Sequence, residues 1–176
     1  MRSRTRAPNK YRRQRLTPKY QRPRLTQRAI ALRLEELREK INANMPMLDE
    51  LNADRAIKKR ILGLAAKVNG LPAKQHCYDY LDAEIKYYKA AIEQFSLADE
   101  FYGLAMRSRK PMPISRAERH QPGLMVRTNT DMLRIYERLR DYLSDHSVFQ
   151  FLKEYYVKSN RLNELAKTEF IFPATF

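Results

Sequence analysis

The residues of this sequence best suited to chemistry are arginines and lysines, and they concentrate in two segments. Residues 1–28 contain nine arginines and two lysines without one acidic residue, and residues 107–127 contain six basic residues against Glu118 alone. Guanidinium groups bind phosphate through paired hydrogen bonds and also stack on bases. This pattern predicts a surface that neutralises phosphate through contacts largely independent of base sequence.

The candidate nucleic-acid-binding residues are the basic side chains of these two segments and two tyrosines that lie among the arginines. An aromatic ring in this setting can stack on a base, although an ordinary tail residue is the simpler interpretation of each tyrosine. The candidates are Arg2, Arg4, Arg6, Lys10, Tyr11, Arg12, Arg13, Arg15, Lys19, Tyr20, Arg22, Arg24, Arg28, Arg107, Arg109, Lys110, Arg116 and Arg119.

Groups that could support catalysis are scarce and scattered. His76, His120 and His146 belong to no HExxH or ExxH pattern, and the four glycines form no phosphate-cradling loop. The single cysteine, Cys77, excludes a disulfide within the chain and is interpreted as a packing residue. We therefore expect no catalytic residue, no metal, no cofactor and no small-molecule substrate.

Carboxylates occur along one long helical segment, but their spacing does not favour acid–base chemistry. Glu84, Glu93 and Glu100 spread around the helix, which predicts a solvated face. Only Asp99 falls on the apolar stripe, where it is expected to pair with a cation such as Arg107 or Lys110, or to mark where the stripe opens to water.

The element expected to organise the fold is a helix over residues 76–106. Its apolar residues recur at alternating steps of three and four, which places them on one helix face. That face is predicted to pack as a heptad seam, and no other segment is expected to form so long a helix. The stripe comprises Tyr78, Leu81, Ile85, Tyr88, Ile92, Phe95, Asp99, Tyr102 and Met106.

Four further helices are predicted around it, each with an apolar face that needs a surface to pack on. The first is capped by Thr26, and the second starts at Asn44 with Pro46 in its first turn and ends at Gly70 and Pro72. A fourth helix starts at Asn129 or Thr130, and Ser147 with Gln150 caps a fifth. The apolar stripe of the second helix comprises Leu48, Leu51, Ile57, Ile61, Leu64 and Val68.

The remaining segments are expected to be irregular. Residues 1–25 form an extended basic arm with too few apolar side chains to build a core. Residues 107–127 form a basic loop whose prolines exclude a regular helix throughout, although residues 115–120 could form one helical turn. The aromatic strip at the end of the chain is expected to dock on the body or on a neighbour, which makes Phe170, Phe172 and Phe176 candidate partner-binding residues.

These features predict an all-α fold: an irregular bundle of about five helices in residues 26–176 around one long central helix, with an extended basic N-terminal arm. The length of 176 residues and the net charge of +15 fit one domain with a polyanionic partner. No apolar run reaches the ~20 residues of a membrane span.

The leading functional hypothesis is a non-enzymatic structural protein that binds DNA or RNA and has protein neighbours within a larger ribonucleoprotein or virus or phage particle. This rests on composition alone. The alternative is a helical adaptor or assembly subunit whose arm docks on an acidic protein or an anionic membrane surface. The expected location is intracellular or inside a virus or phage particle, and an Arg-rich, acid-free N-terminus leaves the mitochondrial matrix open as well.

Overall fold

The computed structural model describes residues 25–108 and 115–166 and is helical almost throughout these ranges, with no strand in either of them. The four helices are α1 (Gln27–Asn69), α2 (Lys74–Ala105), α3 (Arg116–Asp145) and α4 (Val148–Ala166). The all-α prediction is confirmed. The described residues form four helices where five were expected, and residues 1–24, 109–114 and 167–176 lie outside the description.

The helix α2 lies between α1 and α3 and packs against both, while α4 packs on α3. Arg33 near the start of α1 bonds Glu100 near the end of α2, and Arg55 farther along α1 reaches Glu84 nearer the start of α2. The two helices are therefore antiparallel. The prediction that α2 is the longest helix is wrong, because α1 has 43 residues and α2 has 32.

The buried surface of α2 is wider than the predicted stripe. Leu81, Ile85, Tyr88, Phe95 and Tyr102 are buried as expected, but Asp99 and Met106 are exposed. A second heptad row, which shares Leu81, Tyr88, Phe95 and Tyr102 with the first, is buried as well, because α2 has a neighbour on two sides. That row comprises Cys77, Leu81, Glu84, Tyr88, Ala91, Phe95, Ala98, Tyr102 and Ala105.

The predicted break at Asn44 is absent, since α1 continues through Pro46. A proline inside a helix removes one backbone donor and costs ~3 kcal/mol, yet Ile41 and Leu48 on either side are buried against α2. The buried Gln94 of α2 also donates to the backbone carbonyl of Ile41 at 3.0 Å. Tertiary packing therefore holds α1 continuous where its local sequence favours two helices.

The ends of α1 agree with the prediction. The hydroxyl oxygen of Thr26 accepts a hydrogen bond from the amide of Ala29 at 3.2 Å, which caps the first turn. Gly70 follows the last turn with φ of 74°, a conformation that glycine adopts without strain. Both signals are local, which explains why they could be recognised from the sequence.

The prediction that residues 107–127 are irregular is wrong from residue 116 onward, because α3 begins at Arg116 and not at Asn129 or Thr130. Ser115 and Glu118 form a reciprocal cap: the Ser115 amide donates to the Glu118 carboxylate at 2.7 Å, and the Glu118 amide donates to the Ser115 hydroxyl at 3.2 Å. Pro122 and Gly123 lie inside the helix that this cap starts.

The turn between α3 and α4 matches the prediction. The Ser147 hydroxyl accepts from the Gln150 amide at 3.3 Å, and the Gln150 side chain accepts from the Ser147 amide at 2.9 Å. Four residues of α3 are buried, and Phe151 and Leu162 of α4 complete the same cluster. The α3 residues in it are Met132, Tyr136, Leu139 and Leu143.

Candidate functional site

Three helix termini meet at one end of the bundle. The side-chain amide of Gln27, the first residue of α1, donates to the backbone carbonyl of Arg107, just after α2, at 3.2 Å. A Cβ added at Gly123 of α3 would lie 3.3 Å from Oδ1 of Asp99 on α2, and Arg140 near the end of α3 bonds Asp82 near the start of α2, so the start of α3 lies beside the end of α2. The start of α1, the end of α2 and the start of α3 therefore share this end.

Four of the predicted phosphate-binding residues lie at these termini, and we call this surface the basic end: Arg28, Arg107, Arg116 and Arg119. Arg28 belongs to the first turn of α1, Arg107 follows α2, and Arg116 and Arg119 belong to the first turns of α3. All four side chains are exposed. Residues separated by up to 91 positions in the sequence are thus grouped at one end by the fold.

Three acidic residues near the basic end are engaged by other groups, whereas Asp99 is exposed beside Gly123 of α3. Glu118 is held by the Ser115 cap, whose hydrogen bonds lower the pKa of its carboxyl group. Glu100 accepts two hydrogen bonds from Arg33, at 2.9 and 3.2 Å. Hydrogen bonds from Lys40 and Arg33 lower the pKa of Glu36 to about 2. The described part of this end has four exposed arginines against the carboxylates of Glu118 and Asp99, so it keeps a net positive charge.

The remaining predicted site residues lie outside the described residues. These are the twelve candidates between Arg2 and Arg24, the loop residues Arg109 and Lys110, and the aromatic residues Phe170, Phe172 and Phe176. Two of these groups are tied to the basic end by chain connectivity alone. Residues 1–24 run directly into α1, and residues 109–114 join the end of α2 to the start of α3.

A second polar site lies in the interior, around Glu84 of α2. Its carboxylate is only 4% exposed, and Nη1 of Arg55 lies 3.4 Å from it. The same nitrogen donates to the hydroxyl of Tyr88 at 3.2 Å, and the guanidinium lies 3.7 Å from the ring centre of Tyr87. The prediction that Glu84 belongs to a solvated face is wrong, because α1 covers it.

Tyrosines extend this buried polar cluster to α3 and α4. The hydroxyl of Tyr80 lies 3.3 Å from that of Tyr136 and 3.0 Å from that of Tyr155. Tyr88 stacks on Tyr136 with 5.6 Å between ring centres. Side chains of all four helices therefore meet here.

Protonation in this cluster is shaped by burial. Burial raises the pKa of Glu84, and the positive charge of Arg55 opposes that rise. Burial also raises the pKa of Tyr88 to about 12 and raises that of Tyr155, so these phenols stay neutral near pH 7. The second heptad row of α2 is the sequence signal that could have placed Glu84 inside, since it occupies the position between Leu81 and Tyr88.

A cavity of about 320 Å³ adjoins the cluster and is lined by residues of all four helices. Its polar lining includes Arg55 and Lys59 with Glu84, so both signs of charge are present. Arg55 donates to the Tyr88 hydroxyl, and the Tyr80 hydroxyl bonds those of Tyr136 and Tyr155. These polar groups already have partners, so the arrangement is that of a structural polar network. The network fixes the positions of the four helices relative to one another.

Within residues 25–108 and 115–166, no group of three or more His, Cys, Asp and Glu side chains is arranged to hold a metal ion. No helix in these ranges is both long and apolar enough to cross a bilayer. Cys77 is fully buried, and burial raises the pKa of its thiol to about 11, which fits its interpretation as a packing residue.

No protein-family model, no curated protein and no solved structure matches this chain.

Proposed function

We propose that this chain is a non-enzymatic structural protein that binds nucleic acid through its basic end and the basic segments joined to that end. The observation that carries the proposal is the hydrogen bond from Gln27 to the Arg107 carbonyl, which brings the end of the first basic segment to the start of the second. The arm of residues 1–25, the basic end and the 109–114 connection then act as one cationic surface. A larger ribonucleoprotein or virus or phage particle is the setting we propose.

The chemistry of this surface suits phosphate better than base edges. Exposed guanidinium groups on separate helix termini can each bind a phosphate oxygen pair, and such contacts position a nucleic acid without reading its sequence. The arm adds ten further basic charges before Leu25, plus Tyr11 and Tyr20. We therefore expect binding to DNA and RNA with little dependence on base sequence.

A salt titration of binding tests this directly. Fluorescence anisotropy with a labelled 30-base-pair duplex would be recorded between 50 and 300 mM salt. If about six to eight charges meet duplex phosphates, log affinity falls against log salt with a slope of about −5 to −7. A slope close to zero contradicts the proposal.

Two variants separate the arm from the basic end. Deletion of residues 1–24 keeps Thr26, and therefore keeps the cap of α1. The quadruple variant R28Q/R107Q/R116Q/R119Q removes the described charges of the basic end. Each phosphate contact that is lost makes the slope about 0.9 less negative.

The matched control is K86Q/R134Q/R138Q/K153Q, which removes the same number of exposed positive charges elsewhere on the body. It should leave the slope nearly unchanged. If the control lowers affinity as much as the basic-end variant, binding reflects net charge and not the surface proposed here.

The alternative, an adaptor whose arm docks on an acidic protein or an anionic membrane, makes a different prediction. Under it, purified protein has the 260 to 280 nm absorbance ratio of a nucleic-acid-free protein at low salt. It also binds anionic liposomes, or retains its protein partners after nuclease treatment. Co-purifying nucleic acid that leaves at high salt supports the proposal made here.

A further inference from the structure

The outer face of α1 carries large apolar residues that no other helix covers. Ile57, Ile61, Leu64 and Val68 are all exposed, with Val68 exposed by 80% of its surface, and Leu71 continues the row beyond the helix. The inner face of the same segment buries Leu62 in the core. The sequence predicted a packed stripe here, and the structure leaves that stripe unpartnered within the described residues.

The spacing of these residues is that of a helix-packing seam. Positions 57, 61, 64 and 68 of α1 follow steps of four, three and four, the spacing of the a and d positions of a heptad. A row this narrow fits the groove of one neighbouring helix, whereas an interfacial membrane helix presents a wider apolar face, usually with aromatic residues. The seam contains no aromatic side chain, so a helix suits it better than a bilayer.

The charges beside the seam indicate what kind of helix would bind to it. In the same heptad, Lys58 occupies an e position, and Arg60 and Lys67 occupy g positions, which flank the seam and set partner choice in coiled coils. Residues 55–73 contain no acidic residue at all. Opposite charges at these flanking positions are therefore required of the partner.

A second copy of the same segment does not meet that requirement. Antiparallel pairing of two seams about their midpoint places Ile57 opposite Val68 and Ile61 opposite Leu64. Arg60 of one copy and Lys67 of the other, both at g positions, then lie along the same flank of the pair. Like charges at facing flanks disfavour such pairing and act as a specificity device. An acidic partner is thus favoured over self-association.

We propose that residues 57–71 are a docking site for an amphipathic helix of another protein, with aliphatic residues at its a and d positions and glutamate or aspartate at its e and g positions. This site lies toward the opposite end of α1 from Arg28, so it is independent of the proposed nucleic-acid surface. Both can be occupied at once.

A synthetic peptide serves as the probe. It has three heptads with leucine and isoleucine at a and d and glutamate at e and g, and it stays monomeric at neutral pH because its flanks repel one another. Binding of the labelled peptide to the full chain would be followed by fluorescence anisotropy at 150 mM salt. A second peptide with lysine at e and g is expected to bind at least tenfold more weakly.

The basic N-terminal segment can attract any acidic peptide, so the seam needs its own controls. A glutamate peptide with serine at a and d reports that background and should bind at least tenfold more weakly than the apolar version. The variants I61Q and L64Q, whose side chains are solvent-exposed in the free protein, should weaken binding of the acidic peptide by tenfold or more. Y156S on α4, which also changes an exposed residue, should not.

Charge reversal provides the decisive readout. The variant R60E/K67E should lose the acidic peptide and gain the lysine peptide, an exchange that a loss of folding cannot produce. Equal binding of both peptides to the native chain overturns the proposal. It is also overturned if R60E/K67E leaves their preference unchanged, or if sedimentation shows the native chain pairing with itself through Ile61 and Leu64.

Discussion

Arg55 on α1 and Glu84 on α2 form an ion pair in the interior, with 3.4 Å between guanidinium nitrogen and carboxylate oxygen. Burial of Glu84 costs free energy because its charge leaves water, and Arg55 offsets that cost. The same guanidinium donates to Tyr88 and to Asn52. The pair therefore fixes the position of α1 on α2 in the part of α1 that follows Pro46.

Replacing Arg55 by methionine is expected to destabilise the protein by about 2 kcal/mol at pH 7, because it leaves the buried carboxylate without its cation. Urea denaturation followed by circular dichroism measures this change. The exposed Arg60→Met on the same helix is the comparison and should change stability by less than about 0.5 kcal/mol. Equal effects of the two substitutions would show that the buried pair has no special role.

Glu84 should also make stability depend on pH. Burial raises its folded-state pKa above the ordinary value of 4.5, so the folded protein holds this proton more tightly than the unfolded chain. Its contribution to stability is present in full below pH 4.5 and is lost as pH rises through the raised pKa. The free energy of unfolding of E84Q relative to the native chain should therefore increase from pH 4.5 to pH 8.

The measurement for Glu84 is a pair of urea titrations at each pH, one for E84Q and one for the native chain. The exposed Glu35→Gln on α1 serves as the matched control for the loss of one acidic group. A difference between E84Q and the native chain that stays constant or shrinks with pH would contradict the raised pKa.

Tyr80 connects α2 to both α3 and α4 through its hydroxyl. Tyr80→Phe keeps the ring and leaves the hydroxyls of Tyr136 and Tyr155 without this partner, so it should cost about 1–2 kcal/mol. Thermal unfolding followed by circular dichroism detects the change. Tyr156→Phe alters an exposed tyrosine on the same helix as Tyr155 and is expected to have no measurable effect, and a similar loss in both would argue against the network.

The Ser115 cap determines where α3 starts, and so where Arg116 and Arg119 lie. Ser115→Ala removes the acceptor of the Glu118 amide and should destabilise the protein by about 1 kcal/mol. Amide hydrogen exchange should show faster exchange confined to the first turn of α3. Ser96→Ala is the control, because Ser96 lies inside α2 and bonds only the carbonyl of Ile92 in its own helix.

The parts of this fold that could be predicted from sequence are those governed by local chemistry. Thr26, Gly70 and the Ser147–Gln150 cap act within one turn of chain, so their roles follow from residue type. Pro46 and Pro122 misled the prediction because packing against α2 and the Ser115 cap outweigh the local preference of proline. Glu84 was misplaced because its burial depends on Arg55, 29 residues away.

The candidate site shows the same division. Composition identified the basic segments, but only the fold shows that Arg28, Arg107 and Arg116 share one end. The apolar stripe from Ile57 to Val68 was recognised from its spacing, yet periodicity cannot tell whether a helix face is covered by the same chain or left for a partner. That distinction depends on the inner face of α1, which supplies Leu48 and Leu62 to the core.

Gly63 inside α1 and Gly70 just after its end provide a test of backbone conformation with side-chain space held equal. An added methyl group at Gly63 or at Gly70 meets no atom within 4 Å, but only Gly70 has a positive φ, of 74°. Gly63→Ala should therefore stabilise the protein by about 1 kcal/mol through helix propensity. Gly70→Ala should destabilise it by about 1 kcal/mol, because the left-handed conformation strains an alanine. Opposite signs in urea denaturation are the expected result, and the same sign for both would mean that α1 does not end at Asn69 as described.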